Sequence, residues 1–125
     1  MLNKEFRGKR KDNGQFVYGD LTRYSEEMSY ITEDLLGDEP SIQVLTKTVG
    51  QYIGTEDKNG KKIYEYDIMK TKDGKIRVVK FLFPSYYLSP TLEEKINVDA
   101  FDMLDTSEEI IGNYHDNPEL LENNQ

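Results

Sequence analysis

Three glycine-centred turns, each followed by β-branched and aromatic residues, constrain this chain more than any other feature. Asp12-Asn13-Gly14 precedes Phe16-Val17-Tyr18. Asp57-Lys58-Asn59-Gly60 precedes Ile63-Tyr64, and Lys72-Asp73-Gly74 precedes Ile76-Arg77-Val78-Val79. An Asn-Gly pair tolerates positive φ at both positions, which suits the tight turns that match strand twist. The pattern predicts a mostly β chain assembled from hairpins.

The first hairpin joins Phe6-Arg7-Gly8-Lys9-Arg10 to Gln15–Leu21, with Phe16 and Tyr18 on one face and Val17 and Leu21 on the other. Met28–Thr32 reads as a short strand, and Glu33–Pro40 as an acidic loop or one helical turn stopped by Gly37. Ile42–Val49 reads as a strand, and Gly50 and Gly54 bracket Gln51-Tyr52-Ile53, which suggests a bend or a close backbone approach. Lys62–Lys70 is predicted as one strand. Ile76–Phe83 follows, with Val79, Phe81 and Phe83 opposite Ile76, Val78 and Leu82. Tyr86-Tyr87-Leu88 and Glu108–Asn113 are further strands. Leu92, Ile96, Ala100, Met103 and Leu104 approach helical spacing behind Thr91 and Glu94, which have capping-box spacing. Asn117-Pro118 opens a short C-terminal helix, with Asn117 as the cap.

The echo Asn-Gly-x-x-Val/Ile-Tyr at residues 13–18 and 59–64, each followed by Asp and an aliphatic residue (Asp20-Leu21, Asp67-Ile68), has two readings. It is either a duplicated module or the shared chemistry of two hairpin turns.

Composition removes several classes of function. Nine Tyr and five Phe supply core surface, so the 32% of charged residues does not imply global disorder. Without cysteine there are no disulfides and no thiolate zinc sites. No apolar run is long enough for a bilayer span or placed to act as a signal peptide. No membrane association is expected, and the cytoplasm of the host cell is the expected location. The net charge of −8 is segregated: +3 over residues 1–23, −6 over 24–45, +4 over 46–84 and −9 over 85–125. Such a chain repels phosphate overall. Its basic and acidic segments can pair within a molecule or between subunits.

Candidate chemistry is sparse. His115, the only histidine, is either a general base with Asp116 nearby or a plain residue of a polar turn, and a two-His metal site is impossible within one chain. Asp99, Asp102 and Asp105 recur every three residues, which gives either a divalent-cation face or a solvated one. Gly8, Gly14 and Gly19 are too widely spaced to cradle phosphate. Lys9-Arg10-Lys11 is a basic run, and Tyr64, Tyr66, Tyr86 and Tyr87 suit either base stacking or packing. No catalytic, cofactor-binding or metal-binding residue is assigned.

Several blocks, in order, resemble the YopX family of phage and prophage proteins. They are Phe6-Arg7-Gly8-Lys9 with Gly14–Asp20, Thr48–Gly54 with Asp57–Ile68, and Ile110–Asn113 with Asn117–Leu121. The family more often has Trp at Phe16, Thr at Ile53 and Gly at Tyr66. A tyrosine at position 66 argues that positive φ is not required there, or that the turn is built differently. The resemblance implies a mostly β, barrel-like folded sheet with one or two short helices, one of them C-terminal. It also implies a single YopX-like domain over 1–125, or two small β modules, about 1–41 and 42–122, sharing a core.

A non-enzymatic accessory protein that binds a protein partner or self-assembles as a homo-oligomer is the leading expectation. The alternatives are a nucleic-acid-binding small barrel using Lys9, Arg10, Lys11, Lys61, Lys62 and nearby tyrosines, or an acidic nucleic-acid mimic that inhibits a host enzyme.

Overall fold

A computed structural model of the chain describes residues 5–33, 41–82, 85–89, 92 and 108–122. The acidic turn at Gly37 and the helix expected around 92–106 lie outside these residues. The chain divides into two compact units, Met1–Tyr52 and Ile53–Gln125.

In the first unit, β1 (Phe6–Lys9), β2 (Phe16–Arg23), β3 (Met28–Thr32) and β4 (Ile42–Leu45) follow one another as antiparallel neighbours. Register places Arg7 opposite Tyr18 and Lys9 opposite Phe16. Leu21 lies opposite Ile31, and Ser29 opposite Val44. Alternation then sends Val17, Ile31 and Val44 into one core, with Phe6, Leu21, Ile42 and Val49 packed on it. Gly19 is a packing requirement, since a Cβ there would collide with the Thr32 carbonyl of β3.

Two expectations are corrected here. Ile42–Val49 is not one strand, because Thr46–Thr48 coil into a 3-10 turn. The Thr48 hydroxyl donates to the Leu45 carbonyl at 2.6 Å and accepts from the Lys9 N–H at 2.9 Å, so a side chain takes the place of ladder pairing. The chain is mostly β, but its sheets are not closed into a barrel. In the first unit, Arg10 after β1 bridges to Val44 and the Lys11 N–H reaches the Gln43 carbonyl at 3.1 Å. β4 is only four residues long, too short to zip further along this side.

β5 (Gly50–Glu56) carries the chain from the first unit into the second, with Arg7 of β1 opposite Gly50. Gln51-Tyr52-Ile53, read from the sequence as a bend or a close backbone approach, thus lies within a strand. It is followed by β6 (Lys62–Tyr64), β7 (Asp67–Lys70), β8 (Ile76–Leu82), β9 (Ser85–Ser89), β10 (Glu109–Asn113) and the one-turn helix α1 (Glu119–Glu122). One sheet has the order β4-β3-β2-β1-β5-β6 and the other β10-β7-β8-β9.

The turns at Gly60 and Gly74 in the second unit share one design. The Asp57 N–H donates to the Lys61 carbonyl and the Gly60 N–H to the Asp57 carbonyl. Thr71, Lys75 and Gly74 repeat both bonds. Asp57 Oδ1 and Thr71 Oγ1 each accept the N–H four residues on, at 2.9 Å. Gly60 (φ 81°) and Gly74 (φ 87°) supply the left-handed residue, as in a type I turn closed by a glycine bulge. Asn59 does not share the positive φ that its residue type tolerates.

Ile63, Met69, Val79 and Leu88 are fully buried and form the second core, with Ile53, Tyr86 and Ile110 against them. Each such side chain contributes roughly 1.5–3 kcal/mol on burial. Ile68 and Val78, on the opposite face of the same sheet, are also fully buried.

Candidate binding surface

The run Lys62–Lys70, expected as one strand, breaks at Glu65-Tyr66, because β6 belongs to one sheet and β7 to the other. Asp67 makes the corner: its buried carboxylate accepts the Tyr64 N–H at 2.8 Å. Tyr66 then adopts φ 75°, and it is the only non-glycine with positive φ among the described residues. The inference from its residue type that positive φ is not required at 66 is thus overturned. Its N–H donates to the Val79 carbonyl at 3.0 Å and its carbonyl accepts the Tyr114 N–H at 2.8 Å. Backbone bonds on both sides hold a conformation that costs a side-chain-bearing residue about 1–2 kcal/mol.

The clamp brings Tyr66 against His115, with ring centroids 5.1 Å apart at 68°. Tyr114 meets the same imidazole edge-on at 5.8 Å and 77°. The turn that presents these residues is fixed locally. The Asn117 N–H donates to the Asn113 carbonyl at 2.8 Å, and the Asp116 N–H to Asn113 Oδ1 at 2.9 Å. The Asn117 side chain, expected to cap the helix, directs its Oδ1 back to the Asn113 N–H at 3.2 Å.

Exposed apolar residues and acids share the segment that carries His115. Tyr114 is 36% exposed and Ile111, at the register shift of β10, is 37% exposed. Residues 108–122 contain five acids and no Lys or Arg. Glu109 is half-buried, while Asp116, Glu119 and Glu122 are exposed.

The YopX family model matches residues 5–122. The chain belongs to the YopX family. Its fold is similar to the crystal structure of protein EF1440 from Enterococcus faecalis, with a TM-score of 0.60 at 20% identity, covering 97% of this chain and 99% of that one. No curated protein gives a significant match.

The other residues singled out from the sequence of this YopX-family chain are scattered over different roles. Arg10 is held by Asp12 through paired bonds of 2.8 Å, and that hydrogen bond keeps the Asp12 carboxyl below its ordinary range. Lys9 Nζ sits 5.2 Å from the Phe16 ring centroid and the buried Arg7 guanidinium 4.5 Å from it. Lys11 lines an open groove of about 440 Å³ with Arg10, Asp12, Ser41, Ile42 and Gln43. In the second unit, Lys61 and Lys62 are exposed beside the Gly60 turn.

Tyr64 is buried, and Tyr86 packs edge-on against Phe81 at 5.1 Å. Burial first, and the Glu65 charge second, push the Tyr86 phenol up. Tyr87 is half-buried. Gly8 and Gly19 approach Val44 and Thr32, and Gly14 takes the left-handed position of its turn. Among the described residues no three acids or histidines gather as a metal site, and no helix is long and apolar enough to cross a membrane. Asp99, Asp102 and Asp105 lie outside the described residues. Sequence reasoning missed Ile111, which sits at the register shift within β10, and Tyr114, which sits where the chain leaves that strand.

Proposed function

We propose that this protein is a phage or prophage accessory module that binds a protein partner and carries out no chemistry of its own. On this reading it works in the cytoplasm of the host cell. Two exposed residues carry the reading: Ile111 at the register shift of β10, and Tyr114 on the hydrogen-bonded turn that follows it. Tyrosine offers a large contact area at low entropic cost, which suits it to interface anchoring. The test is light scattering on the purified chain together with retention of a host-lysate partner, for the native protein and an I111S/Y114S variant. A partner or oligomer lost in the variant supports the proposal; a monomer retaining nothing overturns it.

A second reading, single-stranded nucleic-acid binding at the first unit, is favoured by Phe16. Its ring shares a sheet face with Tyr18, 6.4 Å away, and with Lys9. Mobility-shift titrations at low salt decide it, and no shift would end it.

A further inference from the structure

We propose that the surface formed by Tyr66, His115 and Tyr114 is a docking site for a lysine- or arginine-rich segment of a partner protein. This inference rests on the binding-module reading and names the chemistry of the partner.

Charge complementarity argues for that occupant. Of the five acids in residues 108–122, Glu108 is buried and Glu109 half-buried with Lys70 opposite it, while Asp116, Glu119 and Glu122 are exposed, and the segment has no Lys or Arg. An approaching polycation is steered toward the surface, whereas nucleic acid or an acidic peptide is repelled. Ring geometry argues the same way. Tyr66 and Tyr114 stand at 68° and 77° to the imidazole plane, so neighbouring rings present their surfaces in different directions. A Lys or Arg head group gains from the π-face of a tyrosine, and its aliphatic stem from apolar ring surface such as that of exposed Tyr114. The carboxylates of Asp116 and Glu119, both exposed, lie close in sequence to Tyr114 to receive further cations.

Little ordering is required on binding. Tyr66 is bonded at its N–H and its carbonyl, and the Asp116 carboxylate is positioned by Asn113 Nδ2 at 3.0 Å. A preformed site spends less of its interaction energy on ordering itself.

The experiment is a fluorescence-anisotropy titration of the full chain against three labelled probes. They are a peptide of alternating Lys/Arg and Gly, its Glu counterpart, and a single-stranded oligonucleotide. The basic peptide is expected to bind alone, and more weakly as salt rises from about 50 to 300 mM. Y114A and the double variant D116N/E119Q are each expected to weaken binding roughly fivefold, while Y114F retains it. Y24A, at a different exposed tyrosine in the other unit, is expected to leave binding unchanged.

Equal binding of the acidic peptide, or binding indifferent to both Y114A and D116N/E119Q, would overturn the proposal. So would salt-sensitive dimers that ignore the peptide, which would assign the surface to a second copy. If the basic peptide fails while a lysate partner is still lost on I111S/Y114S substitution, the binding-module reading survives and only this inference falls.

Discussion

The Asp57 carboxylate reaches the backbone of Ile110, 53 residues further along the chain, where its Oδ2 accepts the N–H at 3.1 Å. Its Oδ1 meanwhile takes the N–H groups of Asn59 and Lys61, both at 2.9 Å. One buried side chain therefore closes a hairpin turn and occupies a backbone donor of β10, the terminal strand in its sheet order. Unpaired donors on such a strand invite pairing with another chain, and Asp57 removes one of them.

Replacing Asp57 with Ala is expected to cost about 2–3 kcal/mol, because three backbone donors lose an ionised acceptor. Asp57→Asn is expected to cost nearly as much, since an amide cannot offer two acceptor oxygens to donors on both sides. Urea unfolding midpoints check this, and unchanged midpoints would show that water replaces the carboxylate at little cost.

The same contact makes stability depend on pH. Burial pushes the Asp57 carboxyl up, but the N–H groups of Ile110, Lys61 and Asn59, with the Lys61 charge, outweigh it and leave the group below its usual 3.8. A folded value below the unfolded one stabilises the protein above the unfolded pKa, and that stability is lost as pH falls through the folded one. The stability gap between the native protein and D57A should be full near neutrality and shrink steadily below about pH 4. Unfolding curves at a series of pH values measure it. A gap that widened in acid would contradict the bonding described.

Tyr66 sets glycine against alanine in an unusual order. Tyr66→Ala keeps the left-handed backbone and loses the ring contact with His115, and about 1–2 kcal/mol of destabilisation is expected. Tyr66→Gly loses the same contact but relieves the backbone, so it should be the more stable of the two by about 1 kcal/mol. Thermal melts of the pair decide, and alanine ranking above glycine would count against a positive φ at this position.

Gly19 and Gly14 separate close packing from backbone conformation. Gly19→Ala drives a Cβ into the Thr32 carbonyl between β2 and β3, and more than about 2 kcal/mol of destabilisation is expected. Around Gly14 there is open space, and only its φ of 73° resists a side chain, so Gly14→Ala should cost about 1 kcal/mol. Chemical denaturation of both variants tests the order.

Local chemistry determined a good deal by itself. Gly60 and Gly74 mark their turns because a left-handed residue is needed within a few bonds of each. The alternation of Val17 with Phe16 and Tyr18, and of Val79 with Val78, assigns faces because successive strand side chains point to opposite sides. Short apolar runs such as Met28–Thr32 and Tyr86-Tyr87-Leu88 sit in strands for the same reason.

The pairings of β1 with β5 and of β7 with β10 join partners far apart in sequence, and no local pattern encodes them. Tertiary structure therefore decided that Lys62–Lys70 divides at Tyr66, and that Thr46–Thr48 leave the ladder to bond with β1. It also brought His115 against the ring of Tyr66, 49 residues earlier in the chain. Side-chain alternation is a property of neighbours along the chain. The site depends on a hydrogen bond from Tyr66 to the Val79 carbonyl and one from the Tyr114 N–H to Tyr66, which form only once the sheet has assembled.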